Sequence, residues 1–201
     1  GNPIPYWYYV SANNLQKEQI PSKQEMEIQL EKFIEDRARG CEFYSYYDQG
    51  FGIDQGEPNA DIFIKDNEVQ LNLNMDFGIE KGEESAVVRN HNVVVKSKLG
   101  ALYNSAVKIY TKEQKDLFLE NYAVDTLRLY APVEGVEITC SPKIWNGDDV
   151  FDELEDAIEI NTLALKSSGA VDDYFVVDLG VSQDVRFITS KNWPHSFEVN
   201  P

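Results

Sequence analysis

Apolar residues are spaced in three distinct ways along this chain, and each spacing predicts a different element. From Met26 onward, Met26, Leu30, Phe33 and Ile34 recur at helical intervals. That spacing predicts a helix over about 23–40 with those four side chains as its buried stripe. Ser22 and Glu25 stand at the separation of a capping box, and Gly40 marks the stop. The longest helical stretch is about 99–131, with Leu99, Tyr103, Ala106, Tyr110, Leu117, Val124, Leu127 and Ala131 on one face and Pro132 ending it. Thr111 and Gln114 form a second capping signature there, so the stretch reads as one kinked helix or as two. A further helix is expected over about 148–166, apolar at Val150, Leu154, Ile158 and Leu165. Its acidic start, Asp148, Asp149, Asp152 and Glu153, complements the positive end of the helix dipole.

Strict alternation marks strands. Asp61 to Lys65 and Val69 to Met75 place Ile62, Ile64, Val69, Leu71, Leu73 and Met75 on one side, and Gln70, Asn72 and Asn74 on the other. Asp66-Asn67 between them suits a tight hairpin turn with positive φ. Ser85 to Arg89 and Val93 to Lys98 read as a strand pair or as one long bulged strand. Glu42 to Ile53, aromatic and broken by glycine, reads as loop and strand. Shorter strands are expected at Pro5 to Val10, Val136 to Thr139, Tyr174 to Leu179, Val185 to Thr189 and Phe197 to Val199. Strands and helices in this mixed order predict an α+β fold, with an antiparallel or mixed sheet packed against the long helix or helix pair. The expected organisation is an aromatic strand and polar arm over 1–21, then one domain over 22–201.

Charge narrows the partners. The 201 residues include 35 acidic and 18 basic side chains, a formal net charge of -17. Such a surface repels phosphate backbones and anionic bilayers, so no nucleic-acid partner is expected. No apolar run reaches the roughly 20 residues needed to span a bilayer. The Gly1-Asn2-Pro3 start has no Met and reads as a processed end, with any membrane segment in a missing upstream part.

Catalytic signatures are sparse. The chain has no GxSxG, HExxH, P-loop or GxGxxG motif, and no catalytic residue, metal or cofactor is assigned. The acidic run from Asp148 to Asp156 lacks the ligand spacing and central glycine of a calcium loop, so it reads as a solvated helix start. His91 and His195 read as turn or surface histidines. Two cysteines, Cys41 and Cys140, are too few for a zinc site and read equally as buried thiols or as a disulfide. The aromatic groups hold the candidate binding residues: Tyr6, Trp7, Tyr8, Tyr46 and Tyr47 form a stacking platform, set against their ordinary use in packing.

In order, the features Pro5-Tyr6-Trp7-Tyr8-Tyr9, the helix Glu25 to Cys41, the hairpin Ile62 to Met75 and the paired helices Leu99 to Tyr130 are followed by Cys140-Ser141-Pro142, Tyr174 to Leu179, Val185-Arg186-Phe187-Ile188 and Trp193-Pro194. This succession resembles a family of archaeal membrane proteins with one N-terminal membrane helix and a large domain outside the cell. The resemblance implies an extracytoplasmic, tethered domain, in contact with the membrane only through that helix. In that oxidising setting it also implies a Cys41–Cys140 disulfide. It brings no enzyme activity. The expectation is a non-catalytic surface domain with a protein or glycan partner. The alternatives are an extracytoplasmic hydrolase with a carboxylate or histidine site, and a subunit of a surface filament.

Overall fold

A computed structural model describes residues 7–10, 13, 15–131, 144–167, 176–190 and 193–200. The fold is α+β, with antiparallel strand pairs and helices packed against sheet. The chain divides into two compact units, 1–101 and 102–201.

The first unit opens with a short ribbon, β1 (Tyr8–Val10) paired antiparallel to β2 (Gln16–Glu18). Helix α1 (Lys23–Arg39) follows. Its capping box is formed as expected: the Ser22 hydroxyl accepts the Glu25 N–H at 3.1 Å, and the Glu25 carboxylate accepts the Ser22 N–H at 2.7 Å. The Ser22 N–H, and then the Ser22 hydroxyl donating to the same carboxylate oxygen at 2.9 Å, hold the Glu25 carboxyl below its ordinary pKa. Gly40 caps the far end. The stripe is Met26, Leu30, Ile34 and the buried Ala38. Phe33, expected inside, is instead 54% exposed, because it sits off that 3.6-residue line, and the Arg37 guanidinium lies 5.5 Å from its ring centroid.

Helix α2 is one turn (Tyr44–Tyr47) and leads to β3 (Gly52–Gln55), β4 (Asn59–Ile64), β5 (Glu68–Lys81) and β6 (Glu84–Lys96). Strand β5 is the spine. On one edge β6 pairs with it along its length, so β3 and β4 share the other edge end to end. The expected alternation holds in β4, where Ala60, Ile62 and Ile64 are buried and Asp61 and Phe63 are exposed. The Asp66-Asn67 turn is tight, closed by Lys65 N–H to Glu68 O at 2.9 Å, but it uses no positive φ. The two segments 85–89 and 93–98 prove to be one strand, β6, with the register shift falling between Asn74 and Phe77 of β5. That bulge lies where β4 gives way to β3, and there Gly56 donates its N–H to Asp76 O at 2.7 Å.

Helix α1 runs antiparallel to β4 and covers its outer edge with side chains. Glu27, Glu31 and Glu35 accept the backbone N–H groups of Ile64, Ile62 and Ala60 at 2.8, 3.1 and 3.0 Å. Four helical residues advance about 6 Å and two strand residues about 6.6 Å, so the two repeats stay in step over three rungs. An edge that would otherwise offer unpaired donors is closed by carboxylates.

The second unit contains most of α3 (Leu99–Asp116), then α4 (Phe118–Tyr130), α5 (Gly147–Ala164), β7 (Asp184–Ser190) and β8 (Trp193–Asn200). The long helical stretch is two helices, and the break is at Leu117, not at Thr111. Leu117 has φ 50° and ψ 42°, a left-handed conformation that ends α3 and lets α4 restart in a new phase. The predicted single face therefore fails beyond the break: Leu117 and Val124 are exposed, and Leu119 and Thr126 are buried instead. Helix α5 starts at an Asn146 cap, whose side chain accepts the Asp148 N–H. The core is Ile109, Leu119, Leu165, Leu179, Val185 and Phe187, with Phe118 edge-on to Phe187 at 6.2 Å. The last two expected strands are present as β7 and β8, which pair antiparallel, with β8 beginning earlier than expected, at Trp193. In place of the expected strand over 174–179, the described residues show only an isolated bridge, Lys166 to Val176, with Leu179 buried. The strand expected at Val136 to Thr139 lies outside the described residues.

Candidate functional site

The first unit carries a cavity of about 330 Å³ over the bulged end of its sheet. Its floor comes from three strands: Ile53 of β3, Phe77 and Ile79 of β5, and Val88 and His91 of β6. Register explains why they meet. Ile53 lies opposite Ile79, Phe77 lies opposite Val88, and alternation puts all four on one side. The wall is the aromatic segment around α2: Phe43, Tyr46 and Phe51.

These rings brace one another at steep angles. Phe43 meets Phe77 at 5.5 Å and 82°, Tyr46 meets Phe51 at 6.2 Å and 79°, and Phe77 meets His91 at 5.1 Å and 77°. Edge-to-face contacts of this kind add stability beyond burial alone. At the rim, Lys81 Nζ stands 4.1 Å from the Phe51 ring centroid. The Asp76–Arg89 ion pair, at 3.0 Å, crosses the bulge and is solvent-exposed on both sides.

His91 is held by the bulge. Its Nε2 lies 3.0 Å from the Met75 carbonyl. A carbonyl only accepts, so Nε2 carries the proton in that bond, and Nδ1 is the nitrogen left for other chemistry. His91 is therefore not a turn residue, as its polar surroundings in the sequence imply, but a strand residue that closes the floor of the cavity. His195 lies on β8, where only the backbone is described.

Of the five aromatics singled out in the sequence, Tyr46 lines the cavity. Tyr47 is its exposed neighbour and packs edge-on to Tyr44 at 6.4 Å. Trp7 and Tyr8 are half-buried on the β1–β2 ribbon and are not among the lining residues. Tyr6 lies outside the described residues. The sequence reading missed Phe77 and Ile79, because it ended the second hairpin strand at Met75, and it placed Val88 in a strand without giving it a site role. The signal was the continued alternation of Phe77 and Ile79 toward the Gly82 turn.

Cys41, one residue past the α1 cap, is an exposed thiol whose Sγ lies 3.9 Å from the Arg37 carbonyl. Cys140 lies outside the described residues. Among the described residues, no group of three His, Cys, Asp or Glu side chains is disposed to hold a metal ion. Among the same residues, no helix is long and apolar enough to cross a membrane.

A second chemical feature sits in the other unit. Glu113 is only 8% exposed and accepts the Leu119 N–H at 3.1 Å, which caps α4 across the Leu117 break. Burial, then a hydrogen bond with the Glu120 carboxyl, pushes its pKa up to about 8. Its carboxyl is therefore protonated at neutral pH. The Leu119 bond ties the last turn of α3 to the first turn of α4.

Compared with family models, curated proteins and solved structures, the chain matches none.

Proposed function

We propose that this chain is a non-catalytic binding domain, displayed outside the cell on a membrane-tethered archaeal protein, that receives an apolar group of a protein or glycan partner in the aromatic cavity of its first unit. The observation that carries the binding role is the lining: seven apolar or aromatic side chains, with His91, around one concave space. Cavities of a few hundred Å³ with such walls are the usual form of small-ligand sites. The extracytoplasmic, tethered setting is supported by the order of features that resembles the archaeal family.

A hydrolase is the second reading, favoured by His91 in the cavity. Acid–base chemistry there needs a partner carboxylate within hydrogen-bond reach. None of the eight lining residues carries one, and the strongly shifted carboxyl, Glu113, belongs to the other unit. Binding is the better account.

The test is titration of p-cresol, an apolar aromatic probe, into the wild type and into Val88→Trp. Val88 is 44% exposed, so the larger ring fills the cavity from its open side without entering a packed core. Heat of binding in the wild type and its loss in the variant, at unchanged unfolding midpoint, is the expected result. Equal binding by both proteins contradicts the assignment.

A further inference from the structure

We propose that the group this cavity selects is a methylated ammonium, an organic cation clothed in methyl groups. The inference rests on the reading of the cavity as a binding site, and it adds the chemical class of the ligand. Four of the lining side chains, Phe43, Tyr46, Phe51 and Phe77, are aromatic hydrocarbons or phenols. Their contacts with one another are steep, from 60° to 82°. Rings so inclined present faces as well as edges to the space between them. A ring face carries the negative part of the aromatic quadrupole and attracts a cation placed over it.

One wall ring holds a cation in the structure itself. The Lys81 ammonium sits over Phe51 at 4.1 Å from the centroid. No Lys, Arg, Asp or Glu is among the lining residues. A bare ammonium entering the cavity would exchange its full water shell for at most the Tyr46 hydroxyl and His91 Nδ1 as acceptors, which is costly. A methylated ammonium binds water weakly and offers apolar surface to Ile53 and Ile79, while its charge is met by the ring faces. The chain's net charge of -17 works in the same direction, since its field concentrates cations and repels anions. Neutral apolar groups gain only the burial. Anionic ligands face both the field and an unpaired charge in an apolar space.

The experiment compares choline with 3,3-dimethyl-1-butanol, which has the same shape with carbon in place of the charged nitrogen. Both are titrated calorimetrically into the wild type, Tyr46→Leu and Lys81→Met. Choline is expected to bind about tenfold more tightly than the alcohol, the scale of a partly desolvated cation–π contact. Tyr46 is 50% exposed, so its replacement by leucine removes a ring face at little cost to folding. In that variant choline affinity is expected to fall several-fold, while the alcohol changes by less than about twofold. Lys81→Met removes the resident cation from Phe51 and is expected to raise choline affinity. A trimethyllysine peptide, run alongside, separates the sources of the group: tighter peptide than choline assigns a modified side chain of another protein, and the reverse assigns a free small molecule. Equal or tighter binding of the alcohol overturns the cation inference and leaves the apolar binding site standing. Binding of neither choline, alcohol nor p-cresol overturns both.

Discussion

Glu31 Oε1 accepts the backbone N–H of Ile62 at 3.1 Å, so a helix side chain takes the place that a neighbouring strand would fill. The same relationship is repeated by Glu27 with Ile64 and by Glu35 with Ala60. Leaving such a half-buried donor without an acceptor costs about 1–3 kcal/mol. Glu31→Ala is therefore expected to lower stability by about that amount, and Glu31→Gln, which keeps an oxygen acceptor, by less. Urea unfolding of the two variants checks the order. Equal stability of Glu31→Ala and the wild type would show that α1 is held by its apolar stripe alone.

Glu113 gives the second unit a pH dependence. Its folded pKa of about 8 lies above its ordinary value of 4.5, so the folded state binds a proton that the unfolded state releases. The unit's stability is then full below about pH 4.5 as far as this group is concerned, and declines as pH rises toward 8. Between those limits the loss is on the order of a few kcal/mol. Glu113→Gln keeps a neutral acceptor for the Leu119 N–H and is expected to flatten the decline. Thermal unfolding at pH 5, 7 and 9 measures it. An unchanged slope in the variant would place the titration elsewhere.

Two glycines at helix starts respond to the same substitution with opposite signs. At Gly100, in the first turn of α3, an added Cβ would stand 2.4 Å from the Lys65 carbonyl oxygen, where the Ala101 N–H reaches Asp66 O. Gly100→Ala is expected to cost about 1–3 kcal/mol. At Gly147, the first residue of α5, a Cβ meets nothing within 4 Å, and alanine is expected to add about 0.5–1 kcal/mol. Denaturant midpoints of the two variants decide; an unchanged or raised midpoint for Gly100→Ala contradicts the contact there.

These elements differ in how far the sequence announces them. Local signals were legible: the Ser22–Glu25 capping box, the alternation that buries Ile62 and Ile64, and the acidic start of α5 all appear as read. Signals that depend on a distant strand were not. Glu27, Glu31 and Glu35 look like a solvated helix face until β4 is laid beside them. The break at Leu117 was misplaced because nothing in a leucine marks a left-handed residue; Glu113, four residues earlier, supports it from a buried position. Tyr46 was named as a binding residue, but the cavity around it needs the Phe77–Val88 pairing, which exists only once β5 and β6 are in register.

The extracytoplasmic proposal carries its own chemical consequence, that Cys41, an exposed thiol in this structure, pairs with Cys140 as a disulfide once oxidised. Closing a loop of about 100 residues, it would stabilise the chain by about 2–4 kcal/mol. After equilibration in a glutathione redox buffer and denaturation, mass-shift titration is expected to find no free thiol in the monomer. Two free thiols that resist oxidation while the chain is folded would contradict the pairing and remove its support for an extracellular setting.

The most direct test of the central claim is methyl NMR of the isoleucines and valines while p-cresol is added. The account predicts concentration-dependent shifts at Ile53, Ile79 and Val88, the methyl-bearing residues of the cavity. It predicts none at Val185, which belongs to the core of the other unit. Shifts absent from those three methyls, or spread evenly over both units, would contradict the assignment of the cavity as the binding site.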